Sequence, residues 1–163
     1  MSFKPKNVSY VLKSFHKHHF LAPLVPDLTG KTYIVSGSTR GIGYDIAEKL
    51  LKQNANVTIL GKTRDPHPKL EGTLDTAVNK LQQISDNVHG EICDVRNEEN
   101  IEKVVKNTND KFGGIDGIIL NASALCLNNT IRQTSKEINL MTDVNIKGSF
   151  LMGKYAMPYI QNC

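Results

Sequence analysis

The apolar run "TYIVS" ends on a cluster of glycines, "GSTRGIGYDI" (residues 37–46), and helical periodicity begins beyond it. Glycines at 37, 41 and 43 give the spacing G-x-x-x-G-x-G between a strand and a helix. That arrangement serves a tight turn in which the backbone approaches an anion at a helix N-terminus. The free N–H groups and the helix dipole there both attract a phosphate. The candidate phosphate-binding residues are therefore Gly37, Ser38, Thr39, Arg40, Gly41, Ile42 and Gly43.

The rest of the body repeats the same alternation. "TYIVSG" (32–37) reads as a buried strand and "GIGYDIAEKLLKQN" (41–54) as a helix with Ile42, Ile46, Leu50 and Leu51 inward. "NVTILG" (56–61) is a second strand, followed by a polar loop, "KTRDPHPKLEG", and a helix from Thr73 to Ile84. "VHGEICDV" (88–95) is a third strand, and "EENIEKVVKNTNDKF" (98–112) a helix with Ile101, Val104 and Val105 inward. "GIDGIILNAS" contains a fourth strand. "SKEINLMTDVNIKGSFLMGKYAMPYIQ" is mostly helical, with Pro158 weakening its last turns. Alternating strands and helices with short links imply an α/β fold, a Rossmann-like parallel sheet with helices on both faces. At about 30 residues per βαβ step, only about four strands fit, the N-terminal half of such a sheet.

Charge separates the chain into two regions, a basic amphipathic arm at 1–27 and a nucleotide-binding domain at 28–163. All 16 acids follow position 26, whereas the arm carries Lys4, Lys6, Lys13 and Lys17 of the 20 Lys and Arg. The net charge of +4 therefore resides in the arm, and the neutral body speaks against nucleic-acid binding. Val8, Val11, Leu12 and Phe15 share one helical face of the arm. The arm is expected to dock a partner or a membrane surface, with a mitochondrial location favoured over a peroxisomal or cytoplasmic one. No apolar run approaches the ~18 residues of a membrane span. Three widely spaced cysteines fit neither a disulfide framework nor a zinc site. His16, His18 and His19 lack a nearby carboxylate or Cys, so no metal is expected.

Ribose recognition in such folds falls at the end of the second strand, where an acid selects NAD. Here "TILGKTR" supplies Lys62 and no carboxylate, and Arg40 adds a second cation, so NADP is the expected cofactor.

Taken together these motifs resemble the short-chain dehydrogenase/reductase family. "SGSTRGIG" is similar to that family's T-G-x-x-x-G-I-G, with Ser36 in place of Thr. The resemblance implies an adenine contact for Asp94, with Val95 beside it, in "CDV". It implies a cofactor role for Asn121 and Ala122 in "LNAS", where Leu120 and Ser123 replace the family's Asn and Gly. It also matches Asn145 in "DVNIKG" to the Asn that holds a water in the family's proton relay. "GKTRDPHPKLEGTLDTA" and "KFGGIDGIILNASA" narrow the resemblance to a peroxisomal or mitochondrial branch.

The family's chemistry also needs a Ser after the fifth strand and a Y-x-x-x-K on the next helix. The residues four beyond Tyr10, Tyr33, Tyr44, Tyr155 and Tyr159 are Ser14, Gly37, Glu48, Tyr159 and Cys163, never Lys. Asn145 is thus the one relay residue present, and no complete catalytic set is expected. The family strand order 3-2-1-4 would leave the fourth strand as an apolar edge, so a protein partner is expected over residues 116–123. The leading reading is a non-catalytic subunit of a larger assembly, built on a nucleotide-binding fold. The alternatives are the cofactor half of an NADP-dependent oxidoreductase completed by another chain, or a free nucleotide-binding module.

Overall fold

The computed structural model describes residues 26–64 and 72–160. Most of the basic arm therefore lies outside the described residues. Four strands, β1 (Thr32–Val35), β2 (Asn56–Gly61), β3 (Val88–Ile92) and β4 (Gly117–Ile119), form one sheet in the order β3-β2-β1-β4. All three pairings are parallel, with Tyr33 opposite Val57 on one side and opposite Gly117 on the other. Helices α1 (Gly41–Lys52), α2 (Leu74–Gln82) and α3 (Glu98–Phe112) are the crossovers. Helix α4 (Ser135–Thr142), a π-helical segment (Asp143–Gly148) and α5 (Ser149–Ala156) follow β4.

Strand alternation explains the layering. Val57 and Ile59 of β2 join Val35 in a core with Ala47 and Leu51 of α1 and Leu74, Ala77 and Leu81 of α2. Leu60 points the other way and joins Ile34 in a core with Ile101, Val104 and Val105 of α3 and Leu151 and Met152 of α5. Thr58 shares that second face, where its hydroxyl oxygen accepts a 3.0 Å hydrogen bond from buried Thr108 of α3. Both faces of the sheet are covered, as its apolar central strands require.

The expected inward set of α1 needs one correction. Ile42 is 74% exposed, whereas Gly43, Ala47 and Leu51 form the buried stripe. Ile42 sits in the first turn, beyond the edge of the sheet that the rest of the helix covers. The long C-terminal helix is also broken into three pieces, and Pro158 lies in a closing 3-10 turn, Met157–Tyr159. Strand β3 stops at Ile92, earlier than expected, because Asp94 and Arg96 already form a turn.

Beside β4 the sheet is not wholly bare. Ile160 pairs in parallel with Ile115, and the Ile115 N–H donates to the Tyr159 carbonyl at 3.2 Å.

Candidate nucleotide-binding site

Helices α2, α3 and α4 each begin on a side-chain cap, from Thr73, Asn97 and Thr134 respectively. Helix α1 does not. Its N-cap is Arg40, whose side chain makes no capping hydrogen bond, and no acid lies in the first turn. The amides at that end stay unsatisfied by side chains and face outward with the positive pole of the helix.

The glycines fit close backbone approach at this turn. Gly37 has φ +63°, and a Cβ there would stand 2.9 Å from the Ala122 Cα. A Cβ on Gly43 would meet the Gly37 carbonyl and the Asn121 amide, each at 2.5 Å. Any larger residue at either position would push α1 or the β4 loop away from the turn.

Below the turn, Ser36 stitches β1 to the segment after β4. Its hydroxyl donates to the Ile119 carbonyl at 3.2 Å and accepts from the Asn121 and Ala122 N–H groups, both at 3.0 Å. Asn121 Nδ2 returns the link by donating to the carbonyls of Ser36 and Gly37 at 3.1 and 3.0 Å. Ser38 is fully buried: its hydroxyl donates to the Val35 carbonyl at 2.6 Å and accepts from Leu60 N–H at 2.9 Å. Its own N–H donates to the Leu60 carbonyl, so its hydrogen-bonding groups hold the turn from beneath. Ser38 and Asn121 thus shape the cradle rather than line it.

A cleft of about 360 Å³ opens above these residues, lined by Gly37, Arg40, Lys62, Asp94, Val95 and Ala122 among others. Six of the residues expected at the nucleotide are thereby brought to one surface. Gly61 ends β2 there, and a Cβ on it would collide with the Thr39 methyl at 2.6 Å. On the other side of the turn lies a second cavity of about 320 Å³, where Arg40, Thr39 and Gly41 meet Tyr44 and Lys80. Arg40 lines both.

Asp94 carries a partner that the sequence reading missed. Arg96 donates Nε to both carboxylate oxygens at 2.9 and 3.2 Å and Nη2 to Oδ2 at 2.6 Å. The Lys62 ammonium stands 3.4 Å from the same Oδ2. The Arg96 hydrogen bonds, helped by the Lys62 charge against partial burial, hold the Asp94 carboxyl well below the usual carboxylate range. The signal was legible as the i, i+2 spacing in "DVR", a common turn geometry for Asp.

Asn145 falls in the π-helical segment. Its amide clamps the loop after β4, accepting from Ala124 N–H and donating to the Ala124 carbonyl, both at 2.9 Å. Ala124 lines the cleft, so Asn145 shapes one wall of it. Among the described residues there is no cluster of three His, Cys, Asp or Glu able to hold a metal.

An uncapped helix N-terminus, a glycine cradle and a cationic cleft suit a dinucleotide phosphate, and comparison with known proteins agrees. The profile of the short chain dehydrogenase family matches residues 31–162. The chain belongs to this family. It is 40% identical over 141 residues to hydroxysteroid dehydrogenase-like protein 2 of Bos taurus, covering 86% of this chain and 34% of that protein. The same protein of Danio rerio is 41% identical over 133 residues, covering 82% and 32%. Among solved structures, a short chain dehydrogenase from Mycobacterium thermoresistibile superposes with TM-score 0.80 at 32% identity, covering 83% of this chain and 49% of that one. A dehydrogenase from Xanthomonas campestris gives TM-score 0.78 at 36% identity, covering 85% and 52%. The chain thus spans about a third of the curated relatives and about half of the solved chains. The fold is a nucleotide-binding one, of a family that takes nicotinamide dinucleotides.

Proposed function

We propose that this chain holds NADP(H) and forms the cofactor-binding part of an oxidoreductase. The carrying observation is the pair of cations, Arg40 and Lys62, lining one cleft beside an uncapped helix N-terminus. The amides of the α1 first turn would hold the pyrophosphate, and Arg40 and Lys62 the ribose 2′-phosphate. Asp94 and Val95 would meet the adenine, and Ala122 would border the nicotinamide half. The cofactor supplies hydride chemistry, while this chain binds and orients it.

Proton transfer would fall to groups supplied beside β4, since no Tyr of these 163 residues is followed by Lys at the fourth position. The parallel pairing of Ile160 with Ile115 supports a strand continuing the sheet there, over residues 116–123. That favours the completed oxidoreductase over a free module.

A second reading, an accessory subunit of a larger mitochondrial assembly, is supported by apolar surface. Leu127, Ile131 and Phe150 are 89%, 92% and 74% exposed. In that reading the arm at 1–27 docks a partner or a membrane surface.

Titration with NADPH and NADH tests the cofactor. The double variant Arg40→Ala/Lys62→Ala is expected to weaken NADPH much more than NADH, and equal losses would refute the 2′-phosphate assignment.

A further inference from the structure

Asp94 is compensated twice, and by cations held very differently. Arg96 grips both carboxylate oxygens through its fork, and its own N–H donates to Oδ1 at 3.1 Å. Lys62 approaches only Oδ2, at 3.4 Å, beyond a good hydrogen bond, and its side chain is 63% exposed. A rigid guanidinium fork loses little freedom on pairing, whereas an ammonium on a four-carbon stem moves readily. Of the two cations, Lys62 is the one able to leave. Asp143, which lines a neighbouring cavity with both cations, adds a further attraction for Arg96.

We infer that Arg96 is a specificity-determining residue: by carrying the Asp94 charge alone, it frees Lys62 to engage a ribose 2′-phosphate. This rests on the NADP(H) reading above. When a 2′-phosphate enters, Lys62 turns from Asp94 to the ligand and Arg96 stays. Without Arg96, Lys62 is, among the described residues, the one cation left within ion-pair distance of a carboxylate only 23% exposed, and withdrawing it strands that charge. NADH brings no 2′-phosphate, so it makes no such demand. Arg96 thereby acts on the choice between cofactors through Lys62, without touching the phosphate.

The experiment is a double-mutant cycle on the full chain, reading dissociation constants for NADPH and NADH by nucleotide fluorescence. Their ratio cancels effects on the adenine common to both. Arg96→Gln is expected to lower the NADPH preference by about 3- to 5-fold, the scale of one partly exposed ion pair. Lys62→Met should lower it too, and Arg96→Gln added to Lys62→Met should lower it no further. Arg96→Lys, which keeps a cation on Asp94, should stay near the wild-type ratio.

An equal effect of Arg96→Gln with and without Lys62 would overturn the proposal, since it would mean a general field rather than a shared partner. So would an unchanged ratio in the Arg96→Gln single variant. Should circular dichroism show that Arg96→Gln does not fold, Asp94→Asn carries the test. It releases Lys62 and is expected to raise the ratio, but to leave it flat in the Lys62→Met background. A flat or lowered ratio for Asp94→Asn in the chain that keeps Lys62 would refute the inference. A wild-type chain with no NADPH preference would remove the underlying reading and the proposal with it. That failure is visible before Arg96 is altered.

Discussion

Replacing Ser36 with Ala tests whether a single hydroxyl joins the phosphate turn to the β4 loop. Ser36 is 2% exposed and its hydroxyl is fully used, donating once and accepting twice. The three partners do not lose equally. The Ile119 carbonyl keeps the N–H of Ser36 at 3.0 Å, and Asn121 N–H keeps the Ile119 carbonyl at 3.1 Å. Ala122 N–H would be left facing an alanine methyl. An orphaned, half-buried amide costs about 1–2 kcal/mol, and weakening the other two contacts adds about 0.5–1 kcal/mol, near 2 kcal/mol in total. For a chain of 163 residues this corresponds to a fall in Tm of about 4–8 °C. Urea unfolding followed by circular dichroism measures the loss, and amide exchange at Ala122 locates it. Ser36→Thr restores the hydroxyl, so it should recover exchange protection at Ala122 even where the added methyl crowds the site. A loss below about 0.5 kcal/mol, the scale of an ordinary surface change, with exchange at Ala122 unaltered, would refute the stitching role.

Two further outcomes follow from the cleft. Burial, with Asp94 and Glu91 nearby, pushes the Cys93 thiol up to about 12, so alkylation at pH 8 should spare it until urea unfolds the chain. Peptide mapping by mass spectrometry should find half-exposed Cys126 modified before Cys93, and early labelling of Cys93 in folded protein would contradict this. For Asp94 the folded pKa lies below the unfolded value because of the Arg96 hydrogen bonds. Its stabilisation is therefore full above about pH 4 and is lost as pH falls through the folded value. Asp94→Asn should flatten that part of the acid-denaturation curve, and parallel curves for variant and wild type would count against the ion pair.

The layering was legible because it is local. Apolar runs in β1 and β2 and the i, i+3, i+4 spacing of Ile101, Val104 and Val105 each report their own burial. Helix α1 shows where that logic stops. Ile42 has the right spacing for the stripe but lies at the helix mouth, beyond the sheet that would cover it. The glycine turn was legible in its spacing, and the structure brings Arg40, Lys62 and Asp94 to one cleft. What spacing could not convey was which polar atoms remain available. Ser38 looks like a phosphate contact in the sequence, but its hydroxyl and N–H are spent on Val35 and Leu60, residues from two strands. Lys62 and Arg96 lie far apart along the chain and meet only because parallel β2 and β3 end at the same level.

The Ile115–Ile160 pairing bears on the order in which the fold assembles. Parallel neighbours cannot be joined by a hairpin, so this contact waits until α4, the π-helical segment and α5 have traversed one face of the sheet. Loop closure on that scale is paid before the contact returns anything, which makes it a slow step. During synthesis the flank of β4 finds this neighbour later than the flanks of the other described strands find theirs. In that interval the flank of β4 is open to pairing with the wrong strand.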